Sequence, residues 1–473
     1  MTALFPAPGT SIDGFRLEEE VHRGGMATLW RATRPDISFP LMVKLPRTGY
    51  GEDHAAIVGF EVEQMILPTL TGVHVPRFVA AGDFTTQPYI AMELIPGATL
   101  RARLDEAPLP PAEVAALGAR IAAALHDLHR QDVVHLDVKA SSVLFRASGE
   151  AVLIDFGLAH HHRLPDLLAE EFRLPMGTGP YISPEQILGV RSDPRSDLFA
   201  LGVTLYHLAT GERPYGNPTT IRGLRRRLYR DPVPPRRLRA NFPPWLQEII
   251  LRCLEVDPAA RYQTAAQLAF ALQNPEQVPL TERARRTTAD GIAKIARRWF
   301  RALGAEPPPS PAMADHLSRS PIVMVAIDLA AGMEAIAEAL RRAVQRILQT
   351  EPGARLACVT VLRTSRIGVD FDVDEQGRSL HVLRLVELKH WARPLRWAPD
   401  RVTFHVLQAP DPASALVEYA RTNHVDHIVI GARGSSALRR YLGSVSSRVV
   451  AEAPCTVTVF RVGDSAAAGP STH

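Results

Sequence analysis

An α/β doubly wound domain closes this 473-residue chain after a longer module of another kind, and three features predict that division. The first is an ordered pair of strings, Val134-His135-Leu136-Asp137-Val138-Lys139 and Asp155-Phe156-Gly157. A strand ending in Lys44 precedes them and Ser183-Pro184-Glu185 follows. The second is a break between Pro275 and Pro321 that holds Pro307-Pro308-Pro309 and Pro311 and lacks an alternating strand pattern, the composition of a connector. The third is the apolar run Ile322-Val323-Met324-Val325-Ala326-Ile327, ended by Asp328, with helices and strands alternating after it.

In the first module, Val21-His22-Arg23-Gly24-Gly25-Met26-Ala27-Thr28-Leu29 sets bare backbone before a strand. Leu41-Met42-Val43 leads into Lys44, and Phe60, Leu67 and Leu70 recur at helical spacing around Glu63. Met92-Glu93-Leu94-Ile95 precedes Pro96-Gly97, and Gly177-Thr178 precedes Ser183-Pro184-Glu185. In this order and spacing the strings resemble bacterial members of the eukaryotic-like Ser/Thr protein kinase family, almost end to end over residues 1–274. The resemblance implies an α+β bilobal protein kinase fold, with ATP and Mg2+ (or Mn2+) as cofactors and a protein Ser or Thr hydroxyl as substrate. By the same resemblance Asp137 orients the hydroxyl and accepts its proton, and Lys139 steadies the transferring phosphate. Lys44, held by Glu63, grips the α- and β-phosphates. Asp155 ligates magnesium, assisted by Ser142. Val21, Gly24, Gly25 and Leu29 cover the nucleotide, the backbone at Glu93 and Ile95 reads adenine, and Leu144 lies beneath it. Asp197 is the buried acid behind the catalytic loop, and Arg261 pairs with Glu185.

The chain departs from the family pattern at three places. Ser142 stands for the usual metal-binding Asn, Met42 for the small residue above adenine, and His22 for the first loop glycine. The alternative is therefore a non-catalytic scaffold that binds nucleotide and signals by dimerisation or docking. Leu136 replaces the arginine that clamps a phosphorylated loop, and Gly157 to Thr178 contains no Ser, Thr or Tyr between them. Glu170 and Glu171 already bring negative charge there, so no loop phosphorylation is expected for activity. Thr178 is expected to be structural.

In the connector, 275–320, Ile292, Ile295, Trp299 and Leu303 fall on one helical face among Lys294, Arg297, Arg298 and Arg301. The expectation is a helix packing its apolar stripe on a neighbouring domain; the rival is a basic amphipathic helix touching a membrane or partner. In the last domain, 321–462, the sequence predicts a helix over 333–348, strands over 356–362, 402–407 and 427–431, a helix over 412–422 and a final strand over 457–460. Gly431-Ala432-Arg433-Gly434, eight residues, then Gly443-Ser444-Val445-Ser446 resembles the nucleotide-binding loop of universal stress proteins, as does Glu452-Ala453-Pro454-Cys455. The resemblance implies ATP contacts from Gly431, Gly434, Gly443 and Ser444, and a homodimer through the last strand, although the spacing is one residue short of the ATP-binding pattern. Residues 463–473 read as a disordered tail.

Composition excludes other classes. The three cysteines, Cys253, Cys358 and Cys455, are too scattered for a disulfide framework or a zinc site. No apolar run is long enough to span a membrane and no signal pattern opens the chain, so a cytoplasmic protein is expected. The net charge of +4 owes much to Arg222, Arg225, Arg226, Arg227, Arg230, Arg236, Arg237 and Arg239, which no nucleic-acid motif accompanies. Acidic-substrate attraction or a solvated face are the two readings of that cluster. His160-His161-His162 reads as part of the activation segment rather than a metal site. Asp370, Asp372 and Asp374 read as an acidic insert, because Glu375 and His381 occupy the positions where a calcium loop needs Gly and Glu.

Overall fold

The computed structural model describes residues 6–24, 27–47, 54–302, 321–329, 333–351, 353–364, 373–374, 378–398, 401–432 and 444–461. Strands β1 (Ser11–Ile12), β2 (Phe15–Arg23), β3 (Ala27–Thr33), β4 (Leu41–Pro46), β5 (Phe78–Gly82) and β6 (Tyr89–Glu93) form an antiparallel sheet in the order β1-β2-β3-β4-β6-β5. Strand alternation divides its faces. Phe15, Leu17, Trp30, Leu41, Val43, Leu45, Tyr89 and Ala91 pack together on one. Lys44 thereby falls on the other, within reach of the helix His54–Ile66.

The second lobe is helical. The Ala-rich helix Pro111–His129 starts with proline at its first position, where no N–H is missed. It lies against Arg195–Thr210, whose residues are buried nearly all round and whose end is turned by Gly211 at φ 78°. Short pairs β7 (Val133–Val134) with β10 (His160–His161) and β8 (Val143–Phe145) with β9 (Ala151–Leu153) present the loops between the lobes. His160 and His161 are thus ladder residues of the activation segment, as expected.

Beyond residue 275 the chain stays against the helical lobe. Ala284 is fully buried, and Gln247 Nε2 donates to the carbonyls of Arg283 (2.6 Å) and Arg286 (2.8 Å). The helix Ile292–Ala302 forms where expected; of its stripe Ile295 is half-buried and Trp299 exposed, Phe300 beside it is exposed too, and Arg298 pairs with Asp231 at 2.5 Å. Pro307–Pro309, Pro311 and Leu303 lie outside the described residues.

The last domain is the expected doubly wound sheet. Parallel strands β11 (Ile322–Ala326), β12 (Arg355–Arg363), β13 (Val402–Ala409), β14 (His427–Ala432) and β15 (Thr456–Arg461) run in the order β13-β12-β11-β14-β15. Val323 and Val325 face the helices Glu334–Thr350 and Leu380–Ala392, while Ile322, Met324 and Ala326 face Pro412–Thr422 and Ser444–Glu452. The switch of strand order between β11 and β14 opens the crevice where such sheets take ligands. The helix Leu380–Ala392, capped by Ser379, has no counterpart among the predicted elements. Asp374 accepts from the Arg378 amide and guanidinium in a local turn, and Asp370, Asp372 and Glu375 lie outside the described residues.

Candidate active site

Asp197, fully buried at the start of Arg195–Thr210, organises the catalytic loop. Its Oδ2 accepts from the His135 amide at 2.9 Å and its Oδ1 from the Leu136 amide at 2.8 Å, while His129 Nε2 lies 2.9 Å away. These bonds hold Leu136 at φ 62°, a left-handed conformation that costs a side-chain-bearing residue about 1–3 kcal/mol. Asp155, at φ 71°, is left-handed as well.

Two constellations meet between the lobes. In one, Lys44 Nζ sits 2.5 Å from Glu63 Oε2 and 3.1 Å from Asp155 Oδ1. Burial by itself would lower the lysine's pKa, but the two carboxylates outweigh it and raise it. Lys44 in turn, with Lys139 further off, holds Asp155 at about 2, so this half-exposed carboxylate is ionised. In the other, Asp137 Oδ1 accepts the Thr178 amide at 3.0 Å and Asp137 Oδ2 pairs with Lys139, whose Nζ also donates to Thr178 Oγ1 at 3.0 Å. Thr178 thus ties the segment before Ser183-Pro184-Glu185 to the catalytic loop, a structural role. The helix carrying Glu63 can approach Asp155-Phe156-Gly157 only because both contacting residues are glycines. A Cβ on Gly59 would lie 3.0 Å from the Gly157 carbonyl, and one on Gly157 3.1 Å from the Gly59 carbonyl.

A family model described as protein kinase domain matches residues 23–271, more than half of the chain. The chain belongs to the protein kinase family. Serine/threonine-protein kinase PknB of Mycolicibacterium smegmatis is 30% identical over 54% of this chain and 42% of its own length. PknL of Mycobacterium tuberculosis is 29% identical over 55% of this chain and 65% of its own. The chain thus spans about two fifths of PknB and under two thirds of PknL. A crystal structure of the Mycobacterium tuberculosis PknI kinase domain aligns at 23% identity with a TM-score of 0.45, over 57% of this chain and 99% of that one. Residues 321–461 match the universal stress protein family.

In the kinase domain, Ile95, Leu144 and Val152 form a small apolar cluster with Ile154 between the lobes, a surface suited to an adenine ring. The Glu93 amide is already donated to the Arg77 carbonyl at 2.9 Å, and its carboxylate is gripped by Arg146 at 2.6 and 2.9 Å. Met42 stands opposite Met92 across β4 and β6. Gly24 closes the β2–β3 hairpin, its amide donating to the Ala27 carbonyl at 3.0 Å. Val21 is exposed and Leu29 lies across from Lys44, while Gly25 lies outside the described residues. Ser142 is buried, its hydroxyl donating to the Asp137 carbonyl at 3.1 Å, which leaves the oxygen lone pairs free to act as acceptors. The ionised Asp155 carboxylate and the Ser142 oxygen are hard donors of the kind magnesium takes.

The substrate-facing segment is braced from below. Glu185 and Arg261, both fully buried, make a bidentate pair at 2.7 and 2.8 Å. Arg227 is also buried, donating to the carbonyls of Gly179 at 2.8 Å and of Ile182. Neither reading of the arginine cluster fits Arg227, which instead holds the chain between Thr178 and Ser183. Its place in a run of like residues gave no sign of this role. In the stress-protein domain, Gly431 is the last residue but one of β14 and Ser444 opens a helix with its side chain exposed, whereas Gly434 and Gly443 lie outside the described residues. A Cβ at Gly431 would come 2.4 Å from Ile336, so close helix packing by itself requires that glycine.

Proposed function

We propose that the chain is a Ser/Thr protein kinase that transfers the γ-phosphoryl group of ATP to a protein hydroxyl. The observation that carries this reading is the simultaneous assembly of Lys44 between Glu63 and Asp155, and of Asp137 with Lys139 and Thr178. Asp137 takes the hydroxyl proton while Lys139, on its other oxygen, neutralises charge on the moving phosphoryl group. Lys44 stays cationic and faces the remaining phosphates. Val21, Gly24, Gly25 and Leu29 cover the nucleotide, and the backbone at Glu93 and Ile95, with Leu144, holds its base. Mg2+, or Mn2+ in its place, is held by Asp155 with Ser142 and supplies charge neutralisation to the phosphates.

The functional divisions are 1–274 for the kinase, 275–320 for the connector, 321–462 for the stress domain and 463–473 for a tail. The stress domain takes a nucleotide through Gly431, Gly434, Gly443 and Ser444, and pairs two chains along β15, an edge strand of the sheet among the described residues. Free cysteines, two of them buried, suit a reducing cytoplasm. Among the described residues, no helix is long and apolar enough to cross a membrane. The test is magnesium-ATP transfer to a generic basic protein. Asp137→Asn is expected to lower the rate by about 10²–10⁴-fold, the scale of a lost general base. Equal label from wild type, Asp137→Asn and Lys44→Ala would favour the scaffold reading.

A further inference from the structure

The activation segment is captured by the stress-protein domain. Glu170 and Glu171 end the short helix Leu167–Glu171 with buried side chains, and among the described residues of the kinase domain His54 balances Glu171. Glu170 receives Arg355 at 2.5 Å and the Tyr419 hydroxyl at 2.9 Å, and Asn423 donates to its carbonyl at 3.3 Å. Glu171 meets His405 Nδ1 at 2.9 Å and His54 Nε2 at 3.0 Å. His405 Nε2 lies 3.0 Å from Glu170 Oε2, close enough for ion pairing though off the line of a hydrogen bond.

The same contacts reach the helix that carries Glu63. His54 opens it and meets the tilted ring of His381 at 3.7 Å between centroids, while Lys389 pairs with Glu61 at 2.7 Å. The stress domain therefore grips both moving parts on which a kinase site depends, the segment and the helix. It does so with the two glutamates in a stretch, 158–177, that has no Ser, Thr or Tyr to phosphorylate. Elsewhere in the family a phosphate brings negative charge to such a segment; here two carboxylates carry it and the cations come from another domain.

Building on the proposed activity, we propose that Arg355, His405, Tyr419 and Lys389 are positioning residues of the phosphotransfer site. They lock Glu170, Glu171 and Glu61, and thereby keep Glu63 on Lys44. The stress domain is then a built-in activator in place of loop phosphorylation, and any ligand or partner that shifts it acts on transfer rate. A clamp of this kind changes the fraction of molecules with a formed site, so its loss lowers kcat while leaving KM for the protein substrate nearly unchanged.

The experiment uses the full chain. Arg355→Met, Tyr419→Phe, Glu61→Lys, Lys389→Glu and the double variant Glu61→Lys/Lys389→Glu are compared for kcat, KM and hydrogen exchange of residues 54–66 and 167–172. The expected result is about a tenfold fall in kcat for Arg355→Met and for each single reversal, with faster exchange in both stretches and recovery in the double variant. The reversal pair is part-exposed, so it remains informative if Arg355→Met fails to fold. An active wild type with unchanged kcat and exchange in all variants overturns the clamp. A wild type without transfer activity defeats the kinase reading instead. Exchange alone then decides, since loss of protection restored by the double variant supports the clamp and unaltered protection overturns it.

Discussion

Position 142 keeps an oxygen but shortens its reach. The Ser142 hydroxyl is spent on the Asp137 carbonyl, so its value as a ligand depends on lone pairs at a buried site. Asparagine would extend a carbonyl oxygen further into the cleft. Ser142→Asn is expected to lower the magnesium concentration for half-maximal transfer, measured by titrating the metal at fixed ATP. No change, or a slower enzyme, would mean that the loop has been rebuilt around serine. Lys44, Glu63, Asp137, Lys139 and Asp155 were legible as residue types at fixed spacing, because phosphoryl transfer needs those charges in one order. Arg227, Arg355 and His405 were not, since a buried cation is recognised by its surroundings and not by its neighbours in sequence.

Among the elements, the helix His54–Ile66 has little room to spare against the loop that carries Asp155. It meets Gly157 backbone to backbone at Gly59, and the Lys44–Glu63 pair depends on that approach. Gly59→Ala gains helix propensity but puts a methyl 3.0 Å from the Gly157 carbonyl. The helix must then shift, at about 1–3 kcal/mol for overpacking. The expected outcome is a lower thermal midpoint together with a several-fold loss of kcat, read from unfolding curves and steady-state rates. An unchanged kcat would show that the helix absorbs the methyl without moving Glu63. Strands and most helices of the last domain followed from apolar runs and periodicity. The helix Leu380–Ala392 escaped because it serves two surfaces, burying Leu385 and Leu388 in its own domain while Lys389 reaches Glu61, which blurs a one-sided stripe.

For the whole molecule, pH acts on the junction between domains. His405 is fully buried; burial opposes its charge, but Glu170 and Glu171 win and raise its pKa to about 9 from 6.5. Its contribution to docking is therefore complete below about 6.5 and lost as pH rises through about 9. Burial alone would raise Glu171, but His405 and His54 hold it at about 2, below its ordinary 4.5. That contribution is present above 4.5 and lost as pH falls toward 2. His381, pushed down to about 3 by burial and by His54, stays neutral when docked, so acidification below 6.5 weakens the junction. With Tyr419 raised well above its ordinary value, docking should be strongest near pH 6.5, weakening below it through His381 and above it, toward 9, through His405. Hydrogen exchange of residues 167–172 against pH, corrected for intrinsic rates, checks this. Equal protection at pH 5 and pH 6.5, a window in which His405 stays fully charged, would remove His381 from the account.

The sequence by itself determined two folds, their order, and the charged groups that come together between the lobes of the first. Each of these is written in local terms: a strand's alternation, a helix's period, a glycine pair or a motif at fixed distance. Only the tertiary structure decided that Glu170 and Glu171 are not solvated charges but buried anchors, 185 and 234 residues from Arg355 and His405. No local rule reports such a contact. A carboxylate in a loop is spelled the same way whether water or another domain neutralises it, and burial, which sets the cost of leaving it unpaired, exists only once the chain has packed.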